Sequence, residues 1–313
     1  MGNKKTIKAF APATVANVAC GFDVLGFAVE APGDEVIITL KDEPGIVITS
    51  IEGDEGKLPL NISENTVSLV IGKYLQHIDK SDLGIEIALK KGMPLKSGLG
   101  SSAASSVVGV YALNELLGQP LSKKELLPFA MEGERLACGS AHADNVAPAL
   151  LGGFVLVRSY DPIDIIDLPT PSKLFATLIH PHIEVKTQDA RSILKQRIAM
   201  KDAVVQWGNI GGLISGIYQE DYDLISRSLE DVLVEPVRKL LIPGFDLAKE
   251  AALKAGSMGA SISGSGPSIF ALSTSKETAN KIGSAMKAIY DQLNIKNEVY
   301  VSKINSEGPK IIE

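Results

Sequence analysis

Apolar and polar residues alternate along the first half of the chain in short runs separated by turn residues. The runs that predict half-buried strands cover residues 5–10, 22–29, 35–40, 46–51 and 84–90. Apolar positions in residues 65–76 have helical spacing instead. After a turn rich in glycine and serine, we expect helices over residues 101–117 and 123–137. A second glycine-bearing segment then leads into a strand over residues 153–158.

The pattern changes after this strand. Residues 161–171 contain three prolines and are predicted to be a linker. Beyond them we expect a strand over 173–180, helices to about 219, a helix over 246–255, a strand–turn–strand over 259–273, a helix over 276–292 and a strand over 298–301. Because strands and helices are mixed without a strict βαβ rhythm, the fold class predicted is α+β, with domains over residues 1–165 and 166–313.

Composition and charge narrow the possible functions. The chain has 313 residues and a formal net charge of −6, with one Trp and no run of Lys or Arg longer than two. These features do not favour binding to nucleic acid or to an anionic membrane, and they favour a small polar substrate. A dinucleotide site is unsupported, because no GxGxxG lies between a predicted strand and helix.

The sequence also does not indicate a membrane span, a signal peptide or a set of disulfides. No stretch approaches the roughly 18 apolar residues that a membrane span needs. Three lysines (Lys4, Lys5 and Lys8) precede an apolar run, as in a signal peptide, but Pro12, Asn17 and Asp23 interrupt that run. Two cysteines, Cys20 and Cys138, are too few for a disulfide framework. We therefore expect a cytoplasmic protein.

The glycine- and serine-rich segment over residues 94–105 carries the clearest chemical signal. Gly98 and Gly100 allow the backbone to approach a ligand closely, and Ser101 and Ser102 begin a long helix whose free amides favour an anion. The order suits a phosphate group, although it is not the GxxxxGK[ST] loop. A tight turn with a serine cap is the alternative interpretation.

The string PxxxGLGSSA in this segment resembles the nucleotide loop of the GHMP kinase family. Residues 11–17 with 21–23, residues 259–267 and residues 139–148 are similar to other motifs of that family, in the form of its members that phosphorylate L-homoserine. The resemblance implies a two-domain fold, with an N-terminal domain like domain 2 of ribosomal protein S5 and a ferredoxin-like C-terminal domain. It also implies transfer of phosphate from ATP, with Mg²⁺, to the side-chain hydroxyl of L-homoserine, a step in threonine biosynthesis, and a homodimer.

The same resemblance implies roles for individual residues. ATP binding is implied for Asn65, Pro94, Leu95, Lys96, Ser97, Gly98, Leu99, Gly100, Ser101, Ser102, Ala103 and Ala104. Magnesium binding is implied for Ser102 and Glu134. Substrate binding is implied for Asn17, Asp23, His142, Thr187, Arg191, Arg238 and Gly264. In this assignment Asp23 faces the substrate ammonium, and the two arginines hold its carboxylate through their planar guanidinium groups.

The identity of a catalytic base stays open. Some relatives have a catalytic Asp in this region, and counting back from Gly152 and Gly153 places it on Asn145, which cannot accept a proton usefully. We expect Asn145 to orient the hydroxyl and Arg191 to stabilise charge, with Asp144 as the alternative base.

Other interpretations of these residues are a kinase for another alcohol, such as mevalonate, or a non-catalytic nucleotide-dependent regulator. An ammonium partner at Asp23 argues against the first. Retention of Glu134, Ser102 and the whole loop argues against the second.

Overall fold

The computed structural model describes residues 5–139 and 141–313, without the side chain of Cys138. Lys4, and Ser140 of the 139–148 segment, therefore lie outside the described residues. The strands are β1 (Thr6–Ala16), β2 (Leu25–Lys41), β3 (Gly45–Glu52), β4 (Gly84–Lys90), β5 (Phe154–Tyr160), β6 (Ile163–Leu168), β7 (Phe175–Pro181), β8 (Gly259–Ile262), β9 (Ile269–Ser273), β10 (Asn297–Lys303) and β11 (Lys310–Ile311). The helices are α1 (Thr66–His77), α2 (Ser101–Leu116), α3 (Lys123–Cys138), α4 (Ala143–Leu151), α5 (Thr187–Ser192), α6 (Met200–Gln219), α7 (Tyr222–Ser228), α8 (Glu235–Arg238), α9 (Phe245–Lys254) and α10 (Lys276–Gln292).

The described strands form two sheets, the larger of which follows the order β11-β1-β2-β4-β3, with β5 and β6 extending from β2. All of its pairings are antiparallel except that of β3 with β4. Helices α2 and α4 pack against β1 and β2. Most apolar side chains of α2, among them Val107, Val108 and Val110, are completely buried beneath this sheet. Their burial explains why the helix is apolar on nearly every side.

The second sheet is antiparallel and has the order β10-β7-β9-β8. Taken in chain order, β7, α9, β8, β9, α10 and β10 make the β-α-β-β-α-β arrangement of a ferredoxin-like fold. Helix α10 begins at the cap Ser275 and buries Ile282, Met286 and Tyr290 against this sheet. The α+β class and the ferredoxin-like expectation are confirmed.

Several elements differ from the expectations drawn from the sequence. The predicted linker over 161–171 is wrong, because β6 lies within it and pairs with β5. Residues 22–29 and 35–40 are not separate strands, since β2 continues from Leu25 to Lys41. Helix α4 was not predicted, and β11 brings the end of the chain back to β1. The first sheet thus receives strands from both ends of the chain.

The predicted boundary between residues 165 and 166 falls within β6, and the second sheet begins at β7. No described helix is both long and apolar enough to cross a membrane.

Candidate active site

A cleft of about 1510 Å³ lies where the N-terminus of α2 faces the turn between β8 and β9. It gathers side chains that are far apart in the sequence. The predicted site residues that line it are Asn17, Asp23, Asn65, Pro94, Leu95, Lys96, Ser97, Gly98, Gly100, Ser101, Ser102, Glu134, His142, Asp144, Asn145, Thr187, Arg191, Arg238 and Gly264. Three others, Leu99, Ala103 and Ala104, have their side chains in the hydrophobic core below the loop.

The loop before α2 is built to leave backbone amides open to a ligand. Gly98 and Gly100 have φ values of 80° and 69°, which other residues rarely adopt. A Cβ on Gly100 would lie 2.1 Å from Thr14 Oγ1. Because Gly100 is the N-cap, no side chain caps the first amides of α2. The buried Ser101 Oγ has no hydrogen-bond partner in the described part of the chain. These donors and the helix dipole favour a phosphate group.

The turn between β8 and β9 supports this loop from the opposite side. Ser263 Oγ donates a hydrogen bond to Gly98 O at 2.7 Å, and the Ser268 amide donates to Ser97 O at 3.1 Å. The Gly264 amide donates to Ala16 O at 3.2 Å. The glycine turn therefore fixes the loop as well as forming a wall of the cleft.

A buried ion pair lies beneath the start of α2. Lys91 Nζ contacts the Asp34 carboxylate and donates to Ser101 O at 2.8 Å and to Ser105 Oγ at 2.6 Å. Asp34 also accepts a hydrogen bond from the Gly92 amide. Both side chains are buried, and buried charges are costly unless they are paired and hydrogen-bonded. These bonds satisfy the pair, and through Ser101 O and Ser105 Oγ they fix the start of α2. Sequence reasoning missed both residues.

Ser102 and Glu134 meet at the edge of the cleft. Ser102 Oγ donates a hydrogen bond to Glu134 Oε1, and Glu134 is buried. A carboxylate and a hydroxyl beside a phosphate-binding loop are oxygen ligands of the kind that Mg²⁺ prefers. The donor set therefore fits this ion.

The substrate end of the cleft holds a concentrated group of charges. Arg191 Nη2 donates to both carboxylate oxygens of Asp23, at 2.8 and 2.9 Å. His142 Nδ1 lies 4.0 Å from Asp23 Oδ1. Arg238 is only 3% exposed, and it stacks on the Phe22 ring with its Cζ 4.9 Å from the ring centroid. Opposite charges thus lie side by side next to the phosphate loop.

Burial and neighbouring charges alter the ionisation of this group. Burial lowers the pKa of Arg238 to about 10, which still leaves the guanidinium charged at neutral pH. Burial and the two guanidinium groups lower the pKa of His142, although Asp23 opposes them. The imidazole is therefore neutral at neutral pH.

Asp144 and Asn145 lie at the start of α4. Asp144 is buried, and its Oδ1 has no hydrogen-bond partner among the residues that the structure describes. Burial, together with the charges of Asp23 and Glu134, raises the pKa of Asp144 to about 8. Asn145 Oδ1 accepts a hydrogen bond from Thr14 Oγ1 at 2.9 Å. This bond fixes the orientation of the Asn145 amide.

Family models and relatives identify the larger group to which this site belongs. The model of the GHMP kinases N terminal domain matches residues 65–153, and the model of the GHMP kinases C terminal domain matches residues 213–292. The homoserine kinase of Chlorobium phaeobacteroides strain BS1 is 54% identical to the chain, and the match covers 98% of this chain and 100% of the relative. The homoserine kinase of Chlorobaculum tepidum is 53% identical, and the match covers 98% of each chain. The chain belongs to the homoserine kinase family of GHMP kinases.

Solved structures agree with this family. The crystal structure of homoserine kinase from Cytophaga hutchinsonii is 63% identical, covers 100% of this chain and 99% of its own, and superimposes with a TM-score of 0.97. The L. major mevalonate kinase, crystallised in complex with R-mevalonate, shares the fold with a TM-score of 0.74 at 16% identity, over 96% of this chain and 98% of its own. As a GHMP kinase, the protein is an ATP-dependent enzyme with a small-molecule substrate.

The remaining predicted site residues of this GHMP kinase have identifiable partners. Asn65 uses its side chain to cap α1 and to donate to Pro59 O, so its polar atoms already have partners in the protein. Lys96 is exposed and lies 2.8 Å from Glu184. The hydroxyls of Thr187 and Ser265 are 3.3 Å apart.

Sequence reasoning also missed Tyr160. Its hydroxyl donates a hydrogen bond to Asp23 O at 2.9 Å, and its pKa is raised by burial and by the charges of Asp144 and Asp23. The tyrosine therefore stays protonated at neutral pH and anchors the segment that carries Asp23. Its position at the end of a strand gave no signal in the sequence.

Proposed function

We propose that the protein transfers the γ-phosphoryl group of ATP to the side-chain hydroxyl of L-homoserine, giving ADP and O-phospho-L-homoserine for threonine biosynthesis. The single observation that carries the substrate assignment is the Asp23–Arg191 ion pair in the cleft, beside the uncapped start of α2. An amino acid is a zwitterion, and this pair offers a partner for each of its charges. The high identity to homoserine kinases over nearly the whole chain supports the same assignment.

Substrate binding would proceed by exchange of ion-pair partners. The ammonium of homoserine replaces the guanidinium on Asp23, and its carboxylate takes the guanidinium of Arg191 in a charge-assisted, two-bond contact. Arg238, already fixed by bonds to Ala190 O and Gly264 O, adds a second positive charge near the carboxylate. Asn17, His142 and Thr187 complete the pocket. An alcohol that carries neither charge would leave the original pair closed.

The phosphate end would be held by the loop backbone. The free amides at the start of α2, with Ser101 and Lys96, would contact phosphate oxygens, and Ser102 and Glu134 would hold Mg²⁺. When bound, the ion neutralises charge on the transferred phosphate. Transfer then depends on alignment of the hydroxyl with the γ-phosphate, because the transition state is loose and needs little help from a strong base.

Proton removal would not need a dedicated side-chain base, because the hydroxyl proton would pass to the transferred phosphoryl group as the bond to ADP breaks and the bond to the hydroxyl oxygen forms, and from there to solvent. Asp144 has a pKa of about 8 and is mostly protonated near neutral pH, so it is a poor proton acceptor in the free enzyme. Asn145, oriented by Thr14, would hold the substrate hydroxyl, while Arg191 stabilises developing charge. An Asp144→Ala variant that loses turnover but keeps both substrate affinities would contradict this assignment and make Asp144 the base.

Turnover with a panel of alcohols tests the function. ADP release with Mg-ATP should be well above the rate without acceptor for L-homoserine only, when L-serine, L-threonine, mevalonate and galactose are tested beside it. Turnover of mevalonate alone would overturn the roles of Asp23, Arg191 and Arg238. ATP binding without turnover of any alcohol would indicate a nucleotide-dependent regulator.

We also expect a homodimer, and the exposed face of α6 supports this proposal. Met200, Val204, Trp207 and Tyr218 lie on that face and are each more than half exposed to solvent. Apolar side chains grouped in this way are typical of surfaces that another chain covers. Light scattering should give twice the chain mass for the wild type and the chain mass for Trp207→Lys, whereas a monomeric wild type would contradict the proposal. We expect the enzyme in the cytoplasm, where ATP is supplied.

A further inference from the structure

Gln206 is a polar residue buried within α6, away from the cleft. It is 4% exposed, and its side-chain amide makes three hydrogen bonds. Its Nε2 donates to Cys20 O at 2.8 Å and to Asp231 Oδ1 at 2.9 Å, while its Oε1 accepts from the Val232 amide at 3.0 Å. A buried amide with this set of bonds connects three segments of the chain.

One of the connected segments leads to Arg238. The Asp231 carboxylate accepts hydrogen bonds from the amides of Leu233, Val234 and Glu235, at 2.8–3.0 Å, and so organises the start of α8. Arg238 is the last residue of this one-turn helix. A shift of the Asp231 carboxylate would therefore displace the backbone of α8, from which the Arg238 side chain extends.

The other segment carries Asp23. Cys20 lies in a turn in which Asn17, Val18, Ala19 and Asp23 all have positive φ, between 42° and 71°. These are conformations that residues other than glycine rarely adopt, and such a turn persists only where its surroundings hold it. The hydrogen bond that Gln206 donates to Cys20 O is one of these restraints, and the hydrogen bond that the Asp23 amide donates to Asn17 Oδ1 is another.

We propose that Gln206 is a positioning residue that sets the spacing between Asp23 and Arg238. It joins the turn that carries the ammonium partner to the helix that carries Arg238, the second partner of the carboxylate, and so matches the pocket to an α-amino acid. The inference rests on the function proposed above. None of the three hydrogen bonds of the Gln206 side chain goes to the phosphate loop, so we expect ATP binding to depend little on Gln206.

The split between the two substrates tests this role. Gln206→Met keeps the length of the side chain but removes its hydrogen bonds, and it should raise KM for homoserine about 10-fold or more, with KM for ATP changed by less than about twofold. Gln219→Met is the matched control, since Gln219 is exposed at the end of the same helix, and both KM values should stay at the wild-type level.

A second variant distinguishes positioning from general damage to the fold. Asp231→Asn should also raise KM for homoserine. In the double variant with Gln206→Met, the rise in KM should be smaller than the product of the two single rises, because both substitutions break the same hydrogen-bond network. Equal rises of both KM values, multiplicative effects, or a wild-type KM for homoserine in Gln206→Met would each overturn the inference. Absence of homoserine turnover by the wild type would overturn the proposed function, and the inference with it.

Discussion

Replacement of Asp23 by asparagine tests substrate recognition at the residue that forms the two-bond ion pair with Arg191. Asp23→Asn keeps the shape of the side chain but removes the charge that pairs with Arg191. A hydrogen bond to a charged group contributes roughly 1.5–3 kcal/mol, which is about 10- to 150-fold in an equilibrium constant. Asp23 is 30% exposed and Arg191 is 42% exposed, so solvent screening places the effect toward the lower part of this range.

We therefore expect kcat/KM for homoserine to fall by about 10- to 50-fold, mainly through KM. The KM for ATP should change by less than about twofold, because Asp23 does not contact the phosphate loop. Stability should fall by no more than about 1 kcal/mol, as is usual for an ion pair that is partly exposed.

Steady-state kinetics of ADP release with each substrate varied in turn measures these values. Asp167→Asn is the matched control: it breaks the exposed ion pair of Asp167 with Lys124, two residues that do not line the cleft, and should leave kinetics unchanged. A homoserine KM in Asp23→Asn that equals the wild-type value would refute the assignment of Asp23 to the substrate ammonium.

Three further variants and one control variant test the rest of the site. Glu134→Gln should lower kcat by about 10²-fold or more and raise the Mg²⁺ concentration needed for half-maximal rate, measured by magnesium titration; an unchanged requirement would remove Glu134 from the ion site. Gly100→Ala should raise KM for ATP at least about 10-fold, because the new Cβ meets Thr14 Oγ1 at 2.1 Å. In contrast, Gly208→Ala on α6, where a Cβ has open space, should leave kinetics unchanged and stabilise the fold by about 0.5–1 kcal/mol in thermal unfolding. The folded state holds the Asp144 proton up to a pKa of about 8, whereas the unfolded chain loses it near 4, so the free energy of unfolding should fall as pH rises between these values. Asp144→Asn should therefore raise the melting temperature more at pH 8 than at pH 5, and an equal change at both would contradict the raised pKa.

The sequence predicts best those elements whose signal is local. Helix α10 matches its predicted bounds because a serine cap and strong amphipathic spacing define it. The sequence does not predict strand β6, because prolines flank a short apolar run. It does not predict helix α4 either, because the helix is short and contains Pro148. The return of β11 to β1 joins opposite ends of the chain, which no local pattern can indicate.

The same contrast between local and long-range features applies to the candidate site. Its glycine loop and most of its charged residues could be named from their motifs, since each motif is a short segment. Direct pairing of Asp23 with Arg191, 168 residues apart, could not be predicted. Lys91 and Gln206 resemble ordinary solvated residues in the sequence, and only their burial in the fold shows that they hold other segments in place.

Comparison of L-homoserine with two truncated analogues tests the central claim, that paired opposite charges select an amino acid for phosphorylation. 3-Aminopropan-1-ol lacks the carboxylate, and 4-hydroxybutanoate lacks the ammonium, but both keep a primary hydroxyl at the end of the chain. With Mg-ATP, and with phosphorylated product measured directly by ³¹P NMR, we predict that kcat/KM for each analogue lies at least about 100-fold below that for homoserine, because each leaves one charge of the Asp23–Arg191 pair without a partner. Phosphorylation of either analogue nearly as efficiently as homoserine would contradict the account.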